Sequence, residues 1–153
     1  MRLLQLRIPP RLVAVAVAFG MWAVSFLEPR FDLPQSHHWA TALAGALGGA
    51  AITFTGAAAL RAAKTTLLPM RPQETTSLVT TGIFRWTRNP MYLGLATALV
   101  GWAAFLSAAW PLLGPILFVL YVNQFQILPE ERVLTELFGA EYTNYTYRVR
   151  RWL

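Results

Sequence analysis

The chain has 153 residues, of which 56% are hydrophobic and 13% charged, with a net charge of +6 and a mean hydropathy of +0.43. Soluble domains carry about 25% charged residues, so this composition argues for lipid as the solvent and against a greasy soluble domain. The absence of cysteine excludes disulfides, thiolate metal sites, a cysteine nucleophile and a prenyl anchor.

The positive charge would point to nucleic acid in a soluble protein. Here membrane topology accounts for it better. Four apolar runs, uncharged except for Arg11 in the first, are predicted to span, at 8–27, 39–60, 91–108 and 109–128. A spanning helix needs about 20 residues, with a range of about 17–25. The first run follows Arg2, Arg7 and Arg11 and no small-residue cleavage site follows it, so it reads as a retained span and not a signal peptide. Arg11 falls inside it and snorkels towards the interface.

The second run holds Gly45, Gly48, Gly49 and Gly56. Gly45 and Gly49 have the spacing that lets two helices approach closely. The plain expectation is packing against the first span, and the sharper one is a homodimer through this face. These glycines follow no strand and so form no phosphate loop.

The polar loop 61–89 contains Pro69 and Pro72 and cannot be one helix. Ser77 to Thr81 read as a short extended piece that turns at Gly82. Asn89-Pro90 then opens the third run, with asparagine as N-cap and proline in the first turn. The third and fourth runs meet near Ser107–Pro111 and are expected to form a tight hairpin. Pro129-Glu130-Glu131 marks a new helix start, with Val133, Leu134, Leu137, Phe138, Tyr142 and Tyr145 on one face and Gly139 as a break. Arg148, Arg150, Arg151 and Trp152 place this helix at an interface.

Every basic residue except Arg30 then lies on one side, which the positive-inside rule assigns to the cytoplasm together with both termini. The expected fold is an all-α membrane protein of about four transmembrane helices, with a C-terminal interfacial helix over 129–153. It forms one membrane domain over 1–153, in the inner membrane of a bacterium. His37 and His38 fall on the opposite side as plain loop residues.

The hairpin brings the start of the third run beside the end of the fourth. Arg85, Arg88, Asn89, Pro90 and Tyr92 therefore become neighbours of Glu130 and Glu131. Charges at a membrane boundary are costly to desolvate and are often functional. The plain alternatives are a topological anchor for Arg88, a helix-dipole role for the glutamates, or an ion pair between them.

At these residues the chain resembles the isoprenylcysteine carboxyl methyltransferases and their relatives, the phospholipid methyltransferases. The resemblance covers Thr76 to Trp152. It rests on Leu78-Val79-Thr80-Thr81-Gly82, Arg88-Asn89-Pro90-Met91-Tyr92-Leu93-Gly94, Glu130-Glu131, and Phe138-Gly139-Ala140-Glu141-Tyr142-Thr143-Asn144-Tyr145, in order. It implies transfer of a methyl group from S-adenosylmethionine to a lipid-like or other small hydrophobic acceptor, at a carboxyl, amine or thiol.

By resemblance, Leu78, Val79, Phe84, Asn89, Pro90, Met91, Tyr92 and Glu130 bind the cofactor, and Arg88 and Glu131 are the catalytic pair. Glu130 suits the cofactor's ammonium, and Phe84 and Tyr92 suit its adenine or sulfonium. No metal is required. Asn89 stands where the family has histidine, and Gln126 where its carboxyl methyltransferases have arginine. The other readings are a non-catalytic membrane subunit and a reductase of the sterol type using a nicotinamide cofactor.

Overall fold

The computed structural model describes residues 8–27, 29–31, 34–65 and 72–153. Arg2, Arg7, Pro69 and Arg71 lie outside the described residues. The main helices are α1 (Pro10–Val24), α2 (Gln35–Ala62), α3 (Pro90–Leu106), α4 (Leu113–Val122) and α5 (Leu128–Arg148). Short 3-10 turns occupy Pro72–Glu74, Gly82–Arg85 and Trp110–Leu112. No strand occurs among the described residues, only an isolated bridge between Arg30 and Ala108.

Each predicted apolar run contains a helix. Ser36–Ala62 and the continuous helical run Trp110–Arg148 are long and apolar enough to cross a membrane, while Pro10–Val24 and Pro90–Leu106 are shorter apolar helices. The apolar part of the Trp110–Arg148 run ends at Leu128, and Glu130, Glu131 and Arg132 follow within one turn. Large apolar side chains point outwards along these helices, among them Phe19 at 66% exposure and Phe54 at 68%, with Leu43, Leu47, Ile116 and Leu117. A water-soluble monomer rarely shows so continuous an apolar surface; lipid is its natural neighbour.

Glycine sets the tightest seam. An ideal Cβ on Gly45 would lie 2.5 Å from the Gly101 Cα, and one on Gly49 would strike the Gly94 carbonyl oxygen. Gly56 lies against Pro90. The glycine face of α2 thus meets α3, not the first helix, and the face the sequence offers for a homodimer is filled from within the chain. Small residues allow the two backbones to touch, which maximises dispersion where no hydrophobic force is available. Helix α1 lies against α3 and α4 instead, with Met21 packed on Gly114 and Trp102 Nε1 donating to the Ala18 carbonyl at 3.0 Å. Ala14, Met21, Leu99, Phe118, Val122 and Ile127 form the buried centre.

The hairpin between α3 and α4 turns at Ser107, whose φ of 46° is left-handed. The first connection braces this turn: Phe31 N–H donates to the Ser107 carbonyl at 2.7 Å and Ala109 N–H to the Pro29 carbonyl at 3.1 Å. His37 and His38 are not loop residues. They lie in the first turn of α2, and His38 Nδ1 is 2.7 Å from the Phe105 carbonyl, one of the orphan acceptors at the end of α3.

The expected helix start at Pro129 is absent. The chain stays helical through a π turn at Asn123–Ile127 and runs directly into α5. A proline inside a helix removes one N–H and crowds the preceding turn. The wider π turn before Pro129 accommodates both effects. Gly139 does break the regular geometry, with φ 50° and ψ −120°.

Candidate functional site

The site lies where the end of α2, the 75–89 segment, the start of α3 and α5 come together. Lys64, with φ 52°, reverses the chain after α2. The returning segment is pinned beside that helix end: Thr76 N–H donates to Thr65 Oγ1 at 3.1 Å, and Ser77 Oγ to the Ala63 carbonyl at 3.2 Å. This brings Leu78 and Val79, with Ala59 and Leu60, to one apolar cluster around Phe84, Tyr142, Tyr145 and Val149. Gly82, with φ 60°, opens the next 3-10 turn and carries Phe84 inwards to 7% exposure. The Tyr145 hydroxyl donates to the Phe84 carbonyl at 2.7 Å, which fastens α5 over the turn. The apolar face of α5 therefore packs on this segment through Leu134, Phe138, Tyr142 and Tyr145.

Asn89 occupies the N-cap position of α3 with Pro90 in the first turn, but its side chain does not cap the helix. Its Nδ2 donates to the Arg151 carbonyl at 3.0 Å. Thr87, almost fully buried, accepts the Asn89 N–H at 3.1 Å and donates to the same carbonyl at 3.3 Å.

These elements enclose an open cleft of about 840 Å³, including its mouth. All ten residues that the resemblance assigns line it: Leu78, Val79, Phe84, Arg88, Asn89, Pro90, Met91, Tyr92, Glu130 and Glu131; Arg85, also expected beside the glutamates, does not. Leu60, Thr75, Ser77, Leu134, Tyr142 and Tyr145 complete the wall. The two tyrosines already stood on the apolar face of the C-terminal helix, and Ser77 opened the expected extended piece; nothing in the pattern signalled Leu60 or Thr75. Gln126 does not line the cleft. It is fully buried in the π turn, where Nε2 donates to the Ile8 carbonyl at 2.8 Å.

The two glutamates have different surroundings. Glu131 is paired twice, with Arg88 Nη1 at 3.1 Å and with Arg151 through Nε at 3.0 Å and Nη2 at 2.7 Å. Glu130 receives the Tyr92 hydroxyl and has no cationic partner among the described residues. Burial pushes the Glu130 carboxyl up to about 8; the Tyr92 hydrogen bond opposes this and the Glu131 charge adds to it. Burial likewise pushes Tyr142 up to about 12, with Glu131 adding to the shift and Arg88 opposing it. The hydrogen bond to Glu131 raises Arg151 further. Among the described residues no group of three or more His, Asp or Glu side chains is arranged to hold a metal.

The cleft thus offers apolar and aromatic walls, one carboxyl without a counter-ion, and beside it a cluster of two arginines on one glutamate. That defines a helical, membrane-associated protein with a cleft suited to a cationic, partly apolar ligand. The phospholipid methyltransferase family matches residues 37–141. A stretch of 63 residues, 41% of the chain, is 48% identical to the whole of an uncharacterized protein from Haemophilus influenzae. No solved structure matches the chain. The chain belongs to the phospholipid methyltransferase family, and is accordingly a membrane methyltransferase.

Proposed function

We propose that the chain transfers a methyl group from S-adenosylmethionine to a lipid-like or other small hydrophobic acceptor, with both substrates meeting in the cleft. The observation that carries this reading is Glu130, a carboxyl in the cleft wall without a cationic partner. A buried carboxylate is costly unless a cation joins it. S-adenosylmethionine brings an ammonium for that role and a methyl group on a positively charged sulfur, which an acceptor lone pair displaces while the S–C bond pair stays on sulfur.

The lining fits such a ligand. Leu78, Val79, Phe84 and Met91 provide apolar and aromatic surface for its adenosine part. Tyr92 orients the Glu130 carboxyl. Asn89 and Pro90 hold the start of α3 at the wall. Arg88 and Glu131 stand on the acceptor side as a fixed pair. With both guanidinium groups directed at its oxygens, Glu131 holds Arg88 in place. The remaining work is alignment and exclusion of water. A nicotinamide cofactor fits less well, because its diphosphate would face Glu130 while Arg88 and Arg151 are both engaged by Glu131.

The accompanying topology is a single membrane domain of four spans over 8–27, 39–60, 91–108 and 109–128, in a bacterial inner membrane with both termini cytoplasmic. It opens the cleft to the compartment that holds the cofactor and leaves the acceptor to arrive from lipid. Calorimetry on the detergent-purified chain tests the reading. Saturable binding of S-adenosylmethionine or its demethylated product is expected, and binding of neither would overturn it. A methyl-labelling screen over lipid extracts, prenylated thiols and small thiols then identifies the acceptor.

A further inference from the structure

Arg151 lies ten residues beyond the part of the chain that the family matches, yet it touches both sides of the cleft. Its guanidinium grips Glu131 on α5 with two hydrogen bonds, at 3.0 and 2.7 Å. Its carbonyl accepts from Asn89 and from Thr87, at the start of α3. The neighbouring Arg150 carbonyl accepts the Arg88 N–H at 3.1 Å, and Trp152 Nε1 donates to Asn123 Oδ1 at 3.2 Å. Residues 150–152 therefore bind three separate pieces of the site: the 87–89 corner, Glu131 and the π turn.

Charge explains what this does. Glu130 and Glu131 adjoin in sequence, and Arg88 lies within reach of the cluster they form. A carboxylate satisfied by a bidentate guanidinium is held in one plane and one direction. With Arg151 in place, Glu131 keeps Arg88 on its own side. Without it, Glu131 loses the fork that fixes its plane, and the remaining Arg88–Glu131 pair is free to turn into the cleft beside Glu130. That would close the position a ligand cation needs.

We infer that Arg151 is a positioning residue of the cofactor cleft: it fixes Glu131 and the Asn89 corner and so keeps Glu130 free for the ligand's cation. The inference rests on the cofactor reading of the cleft. Its test is calorimetric affinity for S-adenosylmethionine in the detergent-purified chain, with melting temperature measured on the same samples.

Arg151→Ala is expected to weaken binding at least tenfold, and Arg151→Lys, which keeps the charge but not the fork, to restore part of that loss. Arg148→Ala, an exposed arginine on the same segment, is expected to bind as the unaltered chain does. In a Glu131→Gln background, Arg151→Ala should add little further loss. Full affinity in Arg151→Ala, or a loss not relieved at all by lysine, overturns the inference. If Arg151→Ala does not fold, Arg151→Lys decides: a several-fold weakening supports the fork and unchanged affinity refutes it. Absence of binding in the unaltered chain would overturn the cofactor reading itself, a distinct outcome from binding that ignores Arg151.

Discussion

Tyr92 and Glu130, 38 positions apart in sequence, are joined by a hydrogen bond from the tyrosine hydroxyl to Glu130 Oε1. The bond links the first turn of α3 to the first turn of α5, and it is the polar contact that sets the direction of the unpaired carboxyl. Glu130→Gln keeps the shape and removes the charge. It is expected to weaken S-adenosylmethionine binding about 100-fold, within the roughly 2–5 kcal/mol typical of removing one partner of a buried, hydrogen-bonded charge pair. Tyr92→Phe should weaken it about tenfold, in line with the 1.5–3 kcal/mol typical of a hydrogen bond to a charged group. Glu136→Ala, on the exposed side of the same helix, should bind unchanged. Equal losses at Glu130 and Glu136 would refute the assigned pocket.

The raised Glu130 pKa gives a pH signature with a defined sign. Folding favours the protonated carboxyl, so its contribution to stability is complete below the ordinary value of 4.5 and is lost as pH rises through about 8. The melting temperature of the ligand-free protein should therefore fall across that window. A ligand cation favours the ionised carboxyl, so affinity should rise over the same range and binding near neutral pH should release a proton. Calorimetry in two buffers of different ionisation enthalpy measures that proton. Affinity that is flat from pH 6 to 9 would contradict the assignment.

The seam between α2 and α3 predicts a position-dependent response to one methyl group. Gly49→Ala and Gly101→Ala push a Cβ into facing backbone, which cannot move aside cheaply. Each should cost about 1–3 kcal/mol, the usual range for overpacking. Gly48→Ala meets only the Thr97 methyl at 3.8 Å and should be neutral or slightly stabilising. Thermal unfolding in detergent separates the two outcomes, and equal shifts at positions 48 and 49 would count against the seam.

Asn89 tests what the corner requires. Asn89→Leu removes the amide donor to the Arg151 carbonyl, which keeps only the Thr87 hydroxyl, at a cost of about 0.5–1.5 kcal/mol. Asn89→His, which restores the family's residue, retains a ring N–H and should preserve binding better than leucine. Cofactor affinity and melting temperature of the two variants provide the measurement. A histidine variant as impaired as the leucine one would show that the asparagine amide is specifically needed.

Much of this arrangement was legible in the sequence because hydropathy and charge report it directly. The four apolar runs mark where helices form, and the hairpin brings Arg88–Tyr92 to Glu130 whatever the packing detail. Partner choice was not legible. Gly45 and Gly49 announce a close contact without naming the opposing helix, and Gly94 and Gly101 become their match only once α2 and α3 are aligned. Arg151 carries no local signal, because its role depends on the break at Gly139, beyond which the chain returns towards Glu131. Pro129 misled for a related reason: a helix start was the ordinary expectation, and a widened turn beforehand is a rarer remedy.

That widened turn has a consequence for the paired glutamates. Each residue in an α-helix advances about 100° around the axis, and a π turn accommodates one residue more than an α turn. Were Asn123–Ile127 wound as ordinary α-helix, every side chain from Leu128 onwards would be rotated by about that angle relative to α1 and α3. The solitary carboxyl would leave the wall, and the Arg88–Arg151 clamp would face a different side chain. The turn at 123–127 is in effect the phase setting of the helix, and it decides which of two identical neighbours, Glu130 or Glu131, stands alone.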